Sequence, residues 1–266
     1  MMNRETCLYQ GRLAQFTYRA DVKDAWEKRW QFADLEHLKQ MYQWADKGAL
    51  GIYRRSFLKH LPRDGLIVEA GCGTGRYVRA LIGYGYKVVG IEWEYQILKR
   101  AKQVWPNAPL ICGDVRRFPF PDQSVTAVIS LGVIEHFDDP WQILQDTVRI
   151  LKPGGLLYLV VPYANYLRRL RAVWGKYSER TSGVGFYQYL LSDTEIGSAL
   201  QMMGFVVITS FSTSAFAGLN DEFPRIGNFI KKLPYAHRLI NGLNTLRLLG
   251  PLFGHVVHYI AEKRLS

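Results

Sequence analysis

A chain of 266 residues, 48% hydrophobic and 21% charged, can bury one sizeable α/β core or two small ones and is too apolar to stay disordered. No run approaches roughly 18 apolar residues, and the start, M-M-N-R-E-T-C, lacks an apolar leader core, so neither a membrane span nor a secretory peptide is expected. The net charge of +11 is concentrated in two places, five cations against Glu179 between 165 and 180 and seven against Glu262 from Arg225 onward. Such patches suit nucleic acid, anionic lipid or an acidic substrate. Cys7, Cys72 and Cys112 form no C-x-x-C pair, which fits a reducing, cytoplasmic setting and no metal centre.

Residues 1–60 pattern as a helical extension, with Trp26, Trp30, Leu38, Met41, Tyr42 and Trp44 among charges, closing on L-P-R-D-G. The remainder, 61–266, alternates strand and helix. L-I-V-E-A (66–70), K-V-V-G-I-E (87–92), P-L-I-C-G-D (109–114), V-T-A-V-I-S (125–130) and G-L-L-Y-L-V-V-P (155–162) are short apolar runs separated by helical spacers. Such runs are strands buried on both faces of a parallel sheet. The expected fold is α/β, a doubly wound, mostly parallel sheet with its ligand at the carboxyl ends of the strands. Ser192 and Glu195 form an S-x-x-E capping box for a helix running to Gly204. F-V-V-I-T-S-F (205–211) and H-V-V-H-Y-I-A-E (255–262) are further strands, with a long insert, 212–254, between them.

The chemistry begins at V-E-A-G-C-G-T-G-R-Y (68–77). A backbone that passes close to a ligand needs glycine, and a dinucleotide site needs G-x-G-x-x-G. Gly71 and Gly73 match that pattern, but Arg76 occupies the third position, and the spacing is G-x-G-x-G through Gly75. Glu69 precedes the turn. A carboxylate there repels a pyrophosphate and attracts an ammonium or sulfonium, which favours S-adenosylmethionine (SAM) over NAD. Glu92 ends the second strand, where a carboxylate can accept both ribose hydroxyls. Asp114 ends the third, placed to accept the adenine amine while the Val115 N–H bonds a ring nitrogen. S-L-G-V-I-E-H-F-D-D-P (130–140) and L-K-P-G-G-L-L (151–157) follow.

In this order, E-x-G-x-G-x-G, G-D and L-K-P-G-G resemble the class I SAM-dependent methyltransferases over about residues 60–210 plus the final strand. The resemblance implies a Rossmann-like sheet of seven strands whose antiparallel last strand lies beside the fifth. It implies SAM as cofactor and S-adenosylhomocysteine as product. Glu69, Gly71 and Gly73, in the turn that also holds Cys72 and Gly75, would meet the methionine portion. Glu92 would hold the ribose, Trp93 would face adenine, Asp114 and Val115 would read its edge, and Leu131 would close the far side. The family commonly has Asp where Glu69 and Glu92 stand, which keeps the charge.

Methyl transfer needs alignment and exclusion of water more than acid–base chemistry. Where the acceptor must lose a proton, His136 is the candidate base. No [DN]-P-P-[YF] follows the fourth strand, as amino-directed relatives would have. Aromatic residues crowd 163–191, and Tyr163, Tyr187 and Tyr189 are the candidate substrate-side residues. Tyr235, Leu239, Leu243 and Leu246 mark an amphipathic basic helix in the insert, a lid or a peripheral membrane contact through 225–254. The expected activity is methylation of a lipophilic or glycan-type small molecule. An RNA methyltransferase and a noncatalytic SAM-binding module are the alternatives.

Overall fold

The structure, a computed structural model, describes residues 4–17, 34–182, 185–245 and 247–265. It opens with a hairpin, β1 (Arg4–Tyr9) and β2 (Arg12–Thr17). Gln10 and Gly11 join them at φ of 50° and 73°, the positive angles of the two-residue turn whose twist matches paired strands. The helical extension expected over 1–60 is therefore corrected at its start: residues 4–17 are strands, and helix begins at α1 (Leu35–Asp46) and α2 (Arg54–His60). Burial of both faces of β2, with Ala14 and Phe16 fully covered, hides the strand's alternation. Trp26 and Trp30 lie outside the described residues.

The alternating segment follows: β3 (Leu66–Ala70), α3 (Arg76–Gly83), β4 (Lys87–Glu92), α4 (Tyr95–Val104), β5 (Leu110–Cys112), β6 (Val125–Leu131), α5 (Trp141–Ile150) and β7 (Leu151–Pro162). Helix α6 (Tyr166–Val173), the short strands β8 (Glu179–Arg180) and β9 (Phe186–Tyr189), and helix α7 (Asp193–Met202) come next. The last part is β10 (Phe205–Thr213), α8 (Ala215–Glu222), α9 (Pro224–Lys232), α10 (Ala236–Thr245), α11 (Gly250–Phe253) and β11 (Val256–Lys263). The Ser192–Glu195 capping box forms at the start of α7 as expected.

The main sheet has seven strands in the order β10-β11-β7-β6-β3-β4-β5, with β11 antiparallel between β10 and β7. Each central strand divides its side chains between two cores. Val68, Val128 and Leu159 face one core with Ile143 and Leu144 of α5. Ile67, Ile129 and Tyr158 face the other with Phe57 of α2, Leu81 of α3 and Leu98 of α4. This double burial is why the strands read as unbroken apolar runs. A second sheet, β8-β1-β2-β9, packs on the first core through Cys7, Phe16, Phe186 and Tyr189.

Candidate cofactor and acceptor site

The chain runs from β3 to β4 on one side and returns through β6 on the other, so a crevice opens at the carboxyl ends of β3 and β6. A cavity of about 190 Å³ lies there, with Gly71, Glu92, Asp114, Val133 and His136 among its walls. Four segments supply these residues, each at the carboxyl end of a strand: β3, β4, β5 and β6.

Backbone demands shape the first loop. Gly71, Gly73 and Gly75 all have positive φ (64°, 53° and 75°), conformations that cost a residue with Cβ on the order of 1 kcal/mol or more. A Cβ on Gly71 would also stand 2.6 Å from Val133 Cγ2, and one on Gly75 2.7 Å from Leu110 Cδ2. Cys72 does not enter the cavity. Its Sγ backs onto β4, where a Cβ on Gly90 would meet it at 2.5 Å. Tyr42 of α1 donates from its hydroxyl to the Thr74 carbonyl at 2.6 Å, so the helical extension clamps the loop from outside.

Glu92 organises the turn electrostatically. Its Oε2 accepts from the Gly73 N–H at 2.9 Å, and its Oε1 accepts from the N–H groups of Trp93 at 2.9 Å and Glu94 at 3.0 Å. Burial raises its pKa, and these three donors pull the other way. Glu69 is buried, with an Oε2 that has no hydrogen-bond partner among the described residues. Burial pushes its pKa up to about 8, against the lowering charge of Arg76. A buried carboxylate oxygen without a donor is costly, and a cationic ligand group would relieve it. An acid on the cavity wall and an orphaned acid beside a glycine cradle form a donor-seeking set that fits SAM.

Asp114 is where expected but not idle. Arg116 grips it, with Nε at 3.0 Å from Oδ1 and 2.9 Å from Oδ2, and Nη2 at 2.6 Å from Oδ2. These charge-assisted bonds lower the Asp114 pKa. The guanidinium also sits 5.6 Å from the centre of the Phe137 ring. Trp93, 47% exposed, and Val115 form the adjoining wall. Leu131 ends β6 half-buried in the core, and the cavity is lined instead by the next two residues, Gly132 and Val133.

His136 lines the cavity from the turn after β6. Its Nδ1 lies 2.6 Å from the Tyr187 carbonyl oxygen, so Nδ1 is the protonated nitrogen and donates. Its Nε2 lies 3.9 Å from Oε1 of Glu135, whose own carboxyl is buried and pushed up to about 8 by that burial. The Tyr187 ring stands edge-on to the imidazole at 4.9 Å. Of the three tyrosines expected on the substrate side, only Tyr187 touches this group. The Tyr163 hydroxyl donates to Asp193 at 2.5 Å, beside a second 2.5 Å bond from Tyr259, and the Tyr189 hydroxyl donates to Gln10 at 3.2 Å.

Arg116, Gly132, Val133 and Phe137 were missed in the sequence. Arg116 had a local signal, a cation two residues after Asp114. Val133 and Phe137 look like core positions, and only the turn geometry brings them to the cavity.

Comparison with known proteins adds an independent line. Residues 68–159 match the model of a methyltransferase domain. A Mycolicibacterium smegmatis protein assigned as an S-adenosylmethionine-dependent methyltransferase is 26% identical over 179 residues, 67% of this chain and 66% of the relative. The 2-methyl-6-phytyl-1,4-hydroquinone methyltransferase of Synechocystis is 34% identical over 104 residues, 38% of this chain and 33% of the relative. The chain thus spans less than two thirds of either curated relative. A methyltransferase solved in complex with the Haloferax volcanii Trm112 methyltransferase activator shares the fold, with a TM-score of 0.58 at 20% identity over 92% of this chain and 97% of that one. Motif order, sheet order and sequence likeness agree: residues 68–159 match a methyltransferase domain, and the chain is similar to SAM-dependent methyltransferases, whose cofactor is SAM.

Proposed function

We propose that the chain moves the SAM methyl group to a small lipophilic acceptor. The cofactor supplies a methyl carbon already activated by its sulfonium. What remains for the protein is to hold, align and keep out water. Glu69 receives the methionine ammonium while the Gly71–Gly73 backbone passes beneath. Glu92 accepts from the ribose hydroxyls, Trp93 covers adenine, and Asp114 with the Val115 N–H reads the adenine edge. His136, presented by the Tyr187 carbonyl with Nε2 as the basic atom, takes the acceptor proton where there is one to lose.

The observation that carries the acceptor class is the character of the walls. Beyond the cofactor residues they are Val133, Phe137 and the Tyr187-backed imidazole, and the one arginine in the lining, Arg116, is neutralised by Asp114. A cleft that handled a phosphate backbone would present unpaired cations. The phytyl-hydroquinone relative supports the same class, and a glycan-type acceptor would want more hydroxyl partners than these walls hold.

Two measurements test the reading. Calorimetric titration should show SAM and S-adenosylhomocysteine binding and no comparable binding of NAD. Incubating the protein with methyl-labelled SAM and a cell extract should then place the label in the organic phase. Label retained in RNA, or NAD binding tighter than SAM, would overturn it.

A further inference from the structure

Helix α6 wears its apolar stripe on the outside. Tyr166, Leu170, Val173 and the C-cap residue Trp174 recur at i, i+4, i+7 and i+8, one face of a helix. All four are exposed, Val173 at 82% and Trp174 at 62%. The inward side is taken by Arg168, which is fully buried and donates to Glu222 at 2.9 Å, Asp221 at 3.0 Å and the Tyr163 carbonyl at 2.8 Å. That ion cluster ties α6 to α8, the first helix of the insert, and sets which face of α6 looks outward.

The neighbouring insert repeats the pattern. Helix α11 packs against α6, and beside this junction Leu248 is 87% exposed and Leu252 46%. Phe229 on α9 and Tyr235 before α10 are also exposed. Residues 223–254 contain five lysines and arginines and no acid. Two cations stay with the aromatic rings, Arg169 at 4.5 Å from the Tyr166 centroid and Arg238 at 5.4 Å from that of Tyr235. The insert springs from the edge that holds the cavity, because Val256, where β11 begins, pairs with Pro162 at the carboxyl end of β7.

We propose that α6 and the insert together dock on an anionic lipid bilayer. Aliphatic side chains enter the acyl boundary, Tyr and Trp suit the headgroup level, and lysines and arginines reach lipid phosphates. Charge decides between occupants. A second copy would bring a like-charged face, and RNA would gain nothing from Val173, Leu248 or Leu252. The proposal deepens the lipophilic-acceptor reading, since docking sets the cavity-bearing edge against the phase in which such an acceptor dissolves.

The test is flotation of the full chain with phosphatidylcholine vesicles, with and without phosphatidylglycerol, and without SAM or acceptor. Flotation is expected only with the anionic lipid and should fall as salt rises. Val173→Ser with Leu248→Ser should lower partitioning about tenfold or more. Arg225→Gln with Lys232→Gln, both exposed, should lower it by about fivefold per charge. Both pairs should leave melting and SAM affinity unchanged. Absence of flotation, equal flotation with neutral vesicles, capture by an RNA oligonucleotide in place of vesicles, or self-association through this face would each overturn the proposal. Because flotation needs no cofactor, it and the methyl-transfer reading can fail separately.

Discussion

Replacing Glu92 by glutamine tests the cofactor site at its most loaded atom pair. The wild-type carboxylate accepts from three backbone N–H groups, Gly73 on Oε2 and Trp93 and Glu94 on Oε1. An amide keeps only one acceptor oxygen. If that oxygen stays with Trp93 and Glu94, the new NH₂ faces the Gly73 N–H at a position built for 2.9 Å acceptance, donor against donor. A hydrogen bond to a charged group contributes about 1.5–3 kcal/mol, and under the proposed ribose contact the sugar would lose one of its acceptors as well. SAM affinity should therefore fall by roughly 30- to 1,000-fold, about 2–4 kcal/mol. Titration calorimetry with SAM and S-adenosylhomocysteine reads the loss directly, and a thermal melt confirms that the variant is folded. An affinity within about threefold of wild type would refute both the ribose assignment and the view that Glu92 holds the glycine turn.

Two further outcomes follow from buried charge. Glu135, like Glu69, has its pKa raised by burial from the ordinary 4.5 to about 8. Each group's contribution to stability is then complete below pH 4.5 and declines as pH rises toward 8, by at most ~1.4 kcal/mol per pH unit. Glu135→Gln should remove about half of that decline, so melting temperatures at pH 5 and pH 8 draw closer; an unchanged pH slope would count against the buried, uncompensated carboxyl. Arg168→Leu should cost about 3 kcal/mol, the low end for a broken buried pair, because the buried Glu222 loses its closest partner but keeps Arg171 at 3.2 Å and the Tyr177 hydroxyl at 2.7 Å. Adding Glu222→Leu should recover much of the lost melting temperature; a single variant that melts like wild type would mean that the cluster does not hold the insert to α6.

The parallel sheet was legible because burial on both faces removes alternation and leaves runs such as L-I-V-E-A, bounded by glycines. The placement of Gly71, Glu92 and Asp114 at the strand ends was legible because the turns between strands and helices are short, so sequence spacing nearly fixes position. The hairpin was harder. Its Q-G turn was a usable signal, but β2 is buried along most of its length by β9 and the core beneath, which hides the period of two. Tyr163 and Tyr189 looked like acceptor residues on aromatic density alone. Whether a tyrosine meets the His136 cavity, or instead bonds Asp193 or Gln10, depends on elements 30 to 179 residues away.

By itself, the sequence determined a glycine turn, its flanking acids and the buried strands that carry them, all set by local spacing and burial. Only the tertiary structure decided what surrounds them. It neutralised Arg116 against Asp114, brought the Tyr187 carbonyl to His136, and placed Arg168 inward so that the apolar stripe of α6 faces out. These outcomes depend on which distant charge or ring arrives first at a given atom, and long-range packing, not residue spacing, makes that choice.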